Sequence, residues 1–316
     1  MAMAVETLQL GVDVAKAELV LCQGWDEQLV TLVNERRAIR SYLKHLSGPT
    51  ALAVEATNRF HLALVEEAQA LGHTVYVVDG YRLNAYRKSI GGRAKTDASD
   101  ARLLLRYLRH EQTSLRPWSP PPAGYNRLIR LLRRRASLIQ AKVALTQSLQ
   151  ELPELKAAVR SLLRQFARLD LLIQTRLRQA LAEHGWAADA QRCQAIEGIG
   201  PLTAAGLVTV FRRGAFHSSD AFIAFLGLDV RVRDSGQFTG RRKLTKQGDP
   251  ELRRLLHNAA MAACRCATWQ PFYQRYRNRG LSTTQCLVIL ARKLARIAFA
   301  LLKNQSTYQP NSTPMP

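Results

Sequence analysis

Acidic side chains are in short supply in this chain of 316 residues: Asp and Glu number 24 against 46 Lys and Arg, a formal net charge of +22. So large an excess of one sign points to a polyanionic partner. Cysteines are also few. The five, Cys22, Cys193, Cys264, Cys266 and Cys286, are scattered and form no Cys-x-x-Cys pair. That excludes the usual zinc and redox motifs and leaves reduced, buried thiols in a cytoplasmic protein. Long apolar runs are missing as well. The best stretch, Cys286 to Leu302, is interrupted by Arg292, Lys293 and Arg296, a spacing that makes an amphipathic helix and not a bilayer span. The N-terminus lacks the basic-then-apolar pattern of a secretory signal, so the protein is expected to stay where it is made. With a membrane set aside, nucleic acid is the partner that suits the charge.

The length suits two domains with a helical segment between them. Residues 7 to 79 read as three strand-like segments in a row, LQLGVDV, AELVLCQ and EQLVTLV, then a helix, a strand (ALAVEA), a helix and a strand (TVYVVD). An antiparallel start followed by alternating strands and helices is the order of an α/β ribonuclease-H-like domain. A doubly wound nucleotide-binding fold would place a helix directly after the first strand. The helical DASDARLLLRYLRH closes this domain, taken as 1–115, and RPWSPPPAG is the clearest linker. Residues 116–189 hold that linker and two long helical runs, from about Tyr125 to Leu152 and from about Glu154 to His184, broken near Pro153. They suggest a helical hairpin or coiled coil. A mostly α-helical C-terminal domain follows over 190–303, and the polar, proline-containing 304–316 is expected to be a disordered tail.

No acid occurs between Glu111 and Glu151, whereas Arg127, Arg130, Arg133, Arg134, Arg135 and Lys142 crowd the start of the first helical run. With nothing nearby in sequence to balance them, phosphate contact is the expected use, with Arg130, Arg133 and Arg134 as candidates. The apolar residues of the same run, Leu128, Leu131, Leu132, Leu138 and Ile139, would then serve self-association.

The acids that are present sit in telling places. In LQLGVDVA, alternation puts Leu8, Leu10, Val12 and Val14 on one face and Gly11, Asp13 and Ala15 on the other. In TALAVEAT, Leu52 and Val54 face one way and Ala51, Ala53 and Glu55 the other. Two strands thus each present a carboxylate on a face kept clear of bulk, as a two-metal site on a phosphate substrate requires. Asp97 and Asp100, three apart at a helix start, would share a face. Capping and first-turn charge explain that spacing equally well.

Further along, AIEGIGPLTAAGLV places Gly198 and Gly200 in a turn between apolar helical stretches. It is similar to a helix-hairpin-helix, whose backbone amides meet a DNA phosphate without reading sequence. As a nucleotide-binding glycine loop it fails, because Thr203 stands where a glycine is needed.

Taken together, GVDVAK, AVEAT and KTDASDA resemble the DEDD transposases of bacterial insertion sequences, the insertion-sequence 110 family. The resemblance extends from about residue 8 to 300: the family's serine-glycine, basic segment, Thr-Lys-x-Gly turn and Leu-Arg helix correspond to Ser235-Gly236, Arg241 to Lys243, Thr245 to Gly248 and Leu252-Arg253. One departure is that Asp229 follows Gly227-Leu228 where many relatives have a proline. The resemblance implies a RuvC-like domain holding magnesium, or manganese in its place, on Asp13, Glu55, Asp97 and Asp100. It gives Ser235 the role of nucleophile on a DNA phosphate, and Arg241, Arg242, Lys243 and Lys246 would contact nucleic acid. No histidine stands beside Ser235, so its activation would fall to the metal. The resemblance further implies donor and target DNA duplexes as substrates, a non-coding bridge RNA whose base pairing chooses the sites, and a homo-oligomer, dimer or tetramer. Two rival readings are a junction-resolving nuclease that leaves Ser235 idle and a non-catalytic nucleic-acid-binding protein.

Overall fold

The computed structural model describes residues 8–91, 96–232, 234–236, 238–240 and 242–310, with the backbone alone at 238 and 239. The chain divides into two compact units between Pro120 and Pro121.

In the first unit, β1 (Leu8–Val14), β2 (Glu18–Gln23) and β3 (Gln28–Val33) form the expected antiparallel run; α1 (Arg36–Lys44), β4 (Thr50–Glu55), α2 (Leu62–Ala70), β5 (Thr74–Val78), α3 (Gly80–Ser89) and α4 (Asp97–Glu111) follow. The sheet order is β3-β2-β1-β4-β5, with β4 and β5 parallel to β1. The alternation read from the sequence decides which face each side chain joins. Leu10, Val12, Val14, Leu52 and Val54 bury against α1 and α2 through Ile39, Leu43, Leu64 and Val65. Ala51, Ala53 and Tyr76 pack on the other face with Leu83 of α3 and Leu104 and Leu108 of α4. Gly11 settles how close α4 comes: a Cβ there would stand 2.1 Å from the carbonyl oxygen of Ala101 and 2.3 Å from the amide nitrogen of Leu105. Only a bare backbone at that position lets helix and strand touch. The proline-rich segment begins on this unit too, since Trp118 donates its amide to the Val75 carbonyl at 2.7 Å and packs on the first core.

The second unit is helical. Its long helices α5 (Tyr125–Ser148) and α6 (Lys156–Glu183) run antiparallel, with Arg127 paired to Glu183 and Arg135 to Asp170. They are followed by α7 (Ala187–Gln194), α8 (Pro201–Arg213) and α9 (Ser219–Phe225). Four two-residue strands, β6 (Val230–Arg231), β7 (Asp234–Ser235), β8 (Phe238–Thr239) and β9 (Lys243–Leu244), lead to α10 (Pro250–Ala263), α11 (Gln270–Asn278) and α12 (Thr283–Asn304). One core joins Leu128 and Leu132 of α5 and Leu177 and Leu181 of α6 to α7, α8, α9, α10 and α12. The long pair is therefore rooted in the C-terminal core and is not a separate segment between two domains.

Three expectations need correction. Part of the apolar face assigned to self-association is used within the chain: Leu128 and Leu132 are buried and Leu131 packs against the same core. The larger exposed apolar residues of the pair lie farther out, at Val143, Leu145, Leu162, Leu169, Leu171 and Leu172. The arginine-rich start of α5 is partly balanced in space, because Glu183, Asp170 and Asp249 pair with Arg127, Arg135 and Arg133. The tail is not wholly free either. Tyr308 donates its hydroxyl to Glu197 Oε2 at 2.7 Å and packs on the core, while residues 311–316 lie outside the described residues. No helix among the described residues is long and apolar enough to cross a membrane.

Candidate active site

Asp13 lies at the C-terminal end of β1 and Glu55 at that of the adjacent parallel strand β4. Both are half-buried. The close seat of α4 on Gly11 brings the first turn of that helix to the same end of the sheet, with Asp97 exposed and Asp100 buried. Capping does not account for Asp97. The cap is Thr96, whose hydroxyl accepts from the Ser99 amide at 3.2 Å while Ser99 Oγ accepts from the Thr96 amide at 2.8 Å.

Burial, followed by the charges of Asp100, Asp97 and Glu55, pushes Asp13 from 3.8 up to about 6, against a backbone hydrogen bond at Val14 that works the other way. Each of the other three acids is thus near enough to disfavour ionisation of the fourth. As the side chains stand, no three His, Cys, Asp or Glu among the described residues come close enough to hold an ion. The donor set still suits a hard divalent cation, being carboxylate oxygen throughout, and the mutual repulsion at Asp13 is what such a cation relieves.

Two neighbours escaped the sequence reading, which assigned nothing to residues 80–89. Gly80 opens α3 behind the cap Asp79, which accepts from the Tyr81 and Arg82 amides at 3.0 and 3.3 Å. A Cβ on Gly80 would fall 2.4 Å from Glu55 Oε1. Its φ is not in the left-handed region, so what the glycine offers is room for the Glu55 carboxylate and not backbone shape. Two turns later, Arg87 Nη1 stands 2.8 Å from Asp100 Oδ1. No spacing rule flags an arginine that pairs with an acid on a different helix.

In the second unit Ser235 is exposed, in a hairpin where it pairs with Phe238 across from β8. Its neighbour Asp234 accepts from Arg242 through both terminal nitrogens, at 2.7 and 2.8 Å, and from the Gly240 amide at 3.2 Å. Beneath the hairpin two glycines interlock: a Cβ on Gly227 would meet the Gly248 amide nitrogen at 2.9 Å, and one on Gly248 would meet the Phe225 carbonyl oxygen at 2.6 Å. Arg253 donates to the Gly248 carbonyl at 2.7 Å. Asp229 accepts from the Thr245 hydroxyl, and its carbonyl accepts from the Thr245 amide at 3.0 Å. The Gly-Leu and Thr-Lys-x-Gly motifs are therefore one base on which the serine hairpin stands.

The structure distributes the remaining candidates unevenly. Arg134 is exposed, Arg130 Nε donates to the Asn126 carbonyl at 3.1 Å, and Arg133 binds Asp249, the cap of α10. Arg242 is committed to Asp234; Lys243 and Lys246 are exposed, and Arg241 lies outside the described residues. At the Gly198–Gly200 turn, α7 precedes and α8 follows. Gly198, at φ +91°, is pressed on α10, where a Cβ would meet the Ala259 carbonyl oxygen at 2.6 Å, whereas Gly200 opens onto space at the start of α8.

A mixed sheet in this order followed by a mostly helical region is consistent with a ribonuclease-H-like DEDD transposase. The family model of the IS110-type DEDD transposases, described as "Transposase", matches residues 10–157, and that of the "Transposase IS116/IS110/IS902 family" matches residues 190–277. The chain belongs to this family and is a DNA transposase or recombinase. A "Probable family 20 transposase" of Pseudomonas aeruginosa is 27% identical over 96% of this chain and 98% of its own length. A "Pilin gene-inverting protein" of Moraxella lacunata is 27% identical over 95% of this chain and 97% of its own. The "Transposase for insertion sequence element IS1111A" of Coxiella burnetii is 35% identical over 38% of this chain and 35% of its own.

Proposed function

We propose that this chain is a site-specific recombinase whose reaction uses the acids of the first unit and Ser235 of the second, on DNA held by an oligomer and addressed by a bridge RNA. The observation that carries the reading is that Asp13 and Glu55 end adjacent parallel strands while the first turn of α4, with Asp97 and Asp100, is seated at the same end of the sheet. Four acids kept together at a cost to one of them are hard to explain without a cation. Asp13, Glu55, Asp97 and Asp100 would hold magnesium, or manganese in its place, and the ion would supply positive charge to the oxygens of the DNA phosphate.

Ser235 suits the role of nucleophile because its hydroxyl is exposed on a hairpin whose base is fixed by Gly227 and Gly248. Its Oγ would give up a proton and attack phosphorus. The Oγ–P bond forms as the bond to a deoxyribose oxygen breaks, leaving a free sugar hydroxyl. Attack by the corresponding hydroxyl of the exchanged strand restores Ser235 and a phosphodiester, so the bond count is conserved without an external energy source. Excision, insertion and the inversion named for the Moraxella relatives all need this one exchange.

Arg134, Lys243 and Lys246, together with Gly200 at the open start of α8, are suited to phosphate contact. The exposed apolar residues of α5 and α6 are the expected contact between copies. RNA guidance rests on the family resemblance and the chain's positive charge. The test is recombination between two sites on a plasmid. Asp13→Asn and Ser235→Ala, each with an unchanged near-UV spectrum, should abolish it, and ribonuclease treatment of the purified protein should suppress it. Full activity in either variant would refute the role given to that residue, and full activity after ribonuclease would remove the RNA from the reading.

A further inference from the structure

Arg87 lies on α3, the helix whose first residue makes room for Glu55, and its Nη1 is 2.8 Å from Asp100 Oδ1. The two side chains are only 15% and 10% exposed, so solvent and salt screen the pair weakly. Ser99 Oγ lies 3.3 Å from the same oxygen. A carboxylate taken out of water needs a counter-charge, and in a cluster of four acids that need is acute. The acids do not stand as a ready ligand shell; Asp100 is instead engaged by a cation that belongs to the chain.

We propose that Arg87 is the built-in counter-ion of the acid cluster: it neutralises Asp100 while no divalent cation is bound, and an entering cation competes with it for that carboxylate. Arg87 thereby sets how readily the site loads. The proposal rests on the reading that the four acids bind a divalent cation. It differs from a purely orienting role in sign, because an orienting partner strengthens metal binding, whereas a competing charge weakens it.

The experiment is a calorimetric titration of the full chain with manganese, alongside its melting temperature in chelator. Wild type, Arg87→Gln, Arg87→Lys and Asp13→Asn are compared. Arg87→Gln should bind manganese about fivefold or more tightly than wild type and should melt lower in chelator, with manganese raising its melting temperature further than it raises that of wild type. Arg87→Lys, which keeps the charge, should bind within about twofold of wild type. Unchanged or weaker binding by Arg87→Gln would overturn the proposal and leave a structural or orienting role. If Arg87→Gln does not fold, Arg87→Lys decides: a tenfold loss of affinity overturns the proposal, and wild-type affinity upholds it. Asp13→Asn separates the two readings, since manganese binding equal to wild type there, or none by wild type, refutes the metal site and this inference with it.

Discussion

Asp13 bears the electrostatic conflict of the acid cluster. Its carboxyl titrates at about 6 in the folded chain against 3.8 for the free group, through burial first and the other three acids next. Well below pH 3.8 it is protonated in both folded and unfolded states and costs nothing; as pH rises from 3.8 to about 6 the unfolded state ionises it while the folded state resists, and stability falls to a lower plateau. In chelator, Asp13→Asn should therefore be more stable than wild type at pH 7.5, by about 1–2 kcal/mol once solvent screening of a half-exposed group is allowed for. The difference should vanish well below pH 3.8. Denaturant midpoints across that range check it, and a variant less stable at pH 7.5 would deny the repulsion. Gly80→Ala tests the neighbouring carboxylate. The new methyl would displace Glu55 Oε1, so manganese affinity should fall about tenfold with little change in stability, read by calorimetry and urea unfolding.

At the scale of the element, α4 owes its seat on β1 to one missing side chain. Gly11→Ala would drive a Cβ into the Ala101 carbonyl, and because that obstacle is backbone the whole helix must shift. A loss of about 2–3 kcal/mol in urea unfolding is expected, together with loss of recombination, since Asp97 and Asp100 move with the helix. This contact was half legible in the sequence: alternation put Gly11 and Asp13 on one face among small residues, yet what pressed on that face required the tertiary structure. The succession of strands and helices along the chain, α4 included, followed from patterning, because period-2 and period-3.6 burial are local. The charge balance of α5 did not, since the acids that meet Arg135, Arg127 and Arg133 lie 35, 56 and 116 residues away. Likewise α3 carries few apolar residues, with Leu83 alone buried among them, so its pattern gave no signal of the helix that brings Arg87 to Asp100. The pairing of Arg133 with the α10 cap separates two arginines that look alike in sequence. Arg134→Gln should weaken DNA binding and lower the salt slope by about one, whereas Arg133→Gln should chiefly destabilise the second unit. Filter binding at several salt concentrations, with melting curves, distinguishes them.

For the whole molecule, the first unit carries the four clustered acids within a chain of net charge +22, and the second exposes Ser235 on a short hairpin. In the proposed mechanism neither half would suffice for strand exchange: acids without a nucleophile that retains the phosphate would hydrolyse DNA, and a serine without added charge at the phosphate would be too weak to attack it. The sequence alone left open a nuclease in which Ser235 is idle. The contacts of Gly227 with Gly248 and of Asp229 with Thr245 tie together the two ends of the segment that carries Ser235, a geometry compatible with the proposed serine chemistry. The most direct measurement is to denature the protein after incubation with a suicide DNA substrate, digest it, and identify the nucleotide-bearing peptide by mass spectrometry. A nucleotide on the peptide containing Ser235, absent from Ser235→Ala and from Asp13→Asn, is the expected result; DNA cut cleanly with no protein attached would contradict a serine nucleophile.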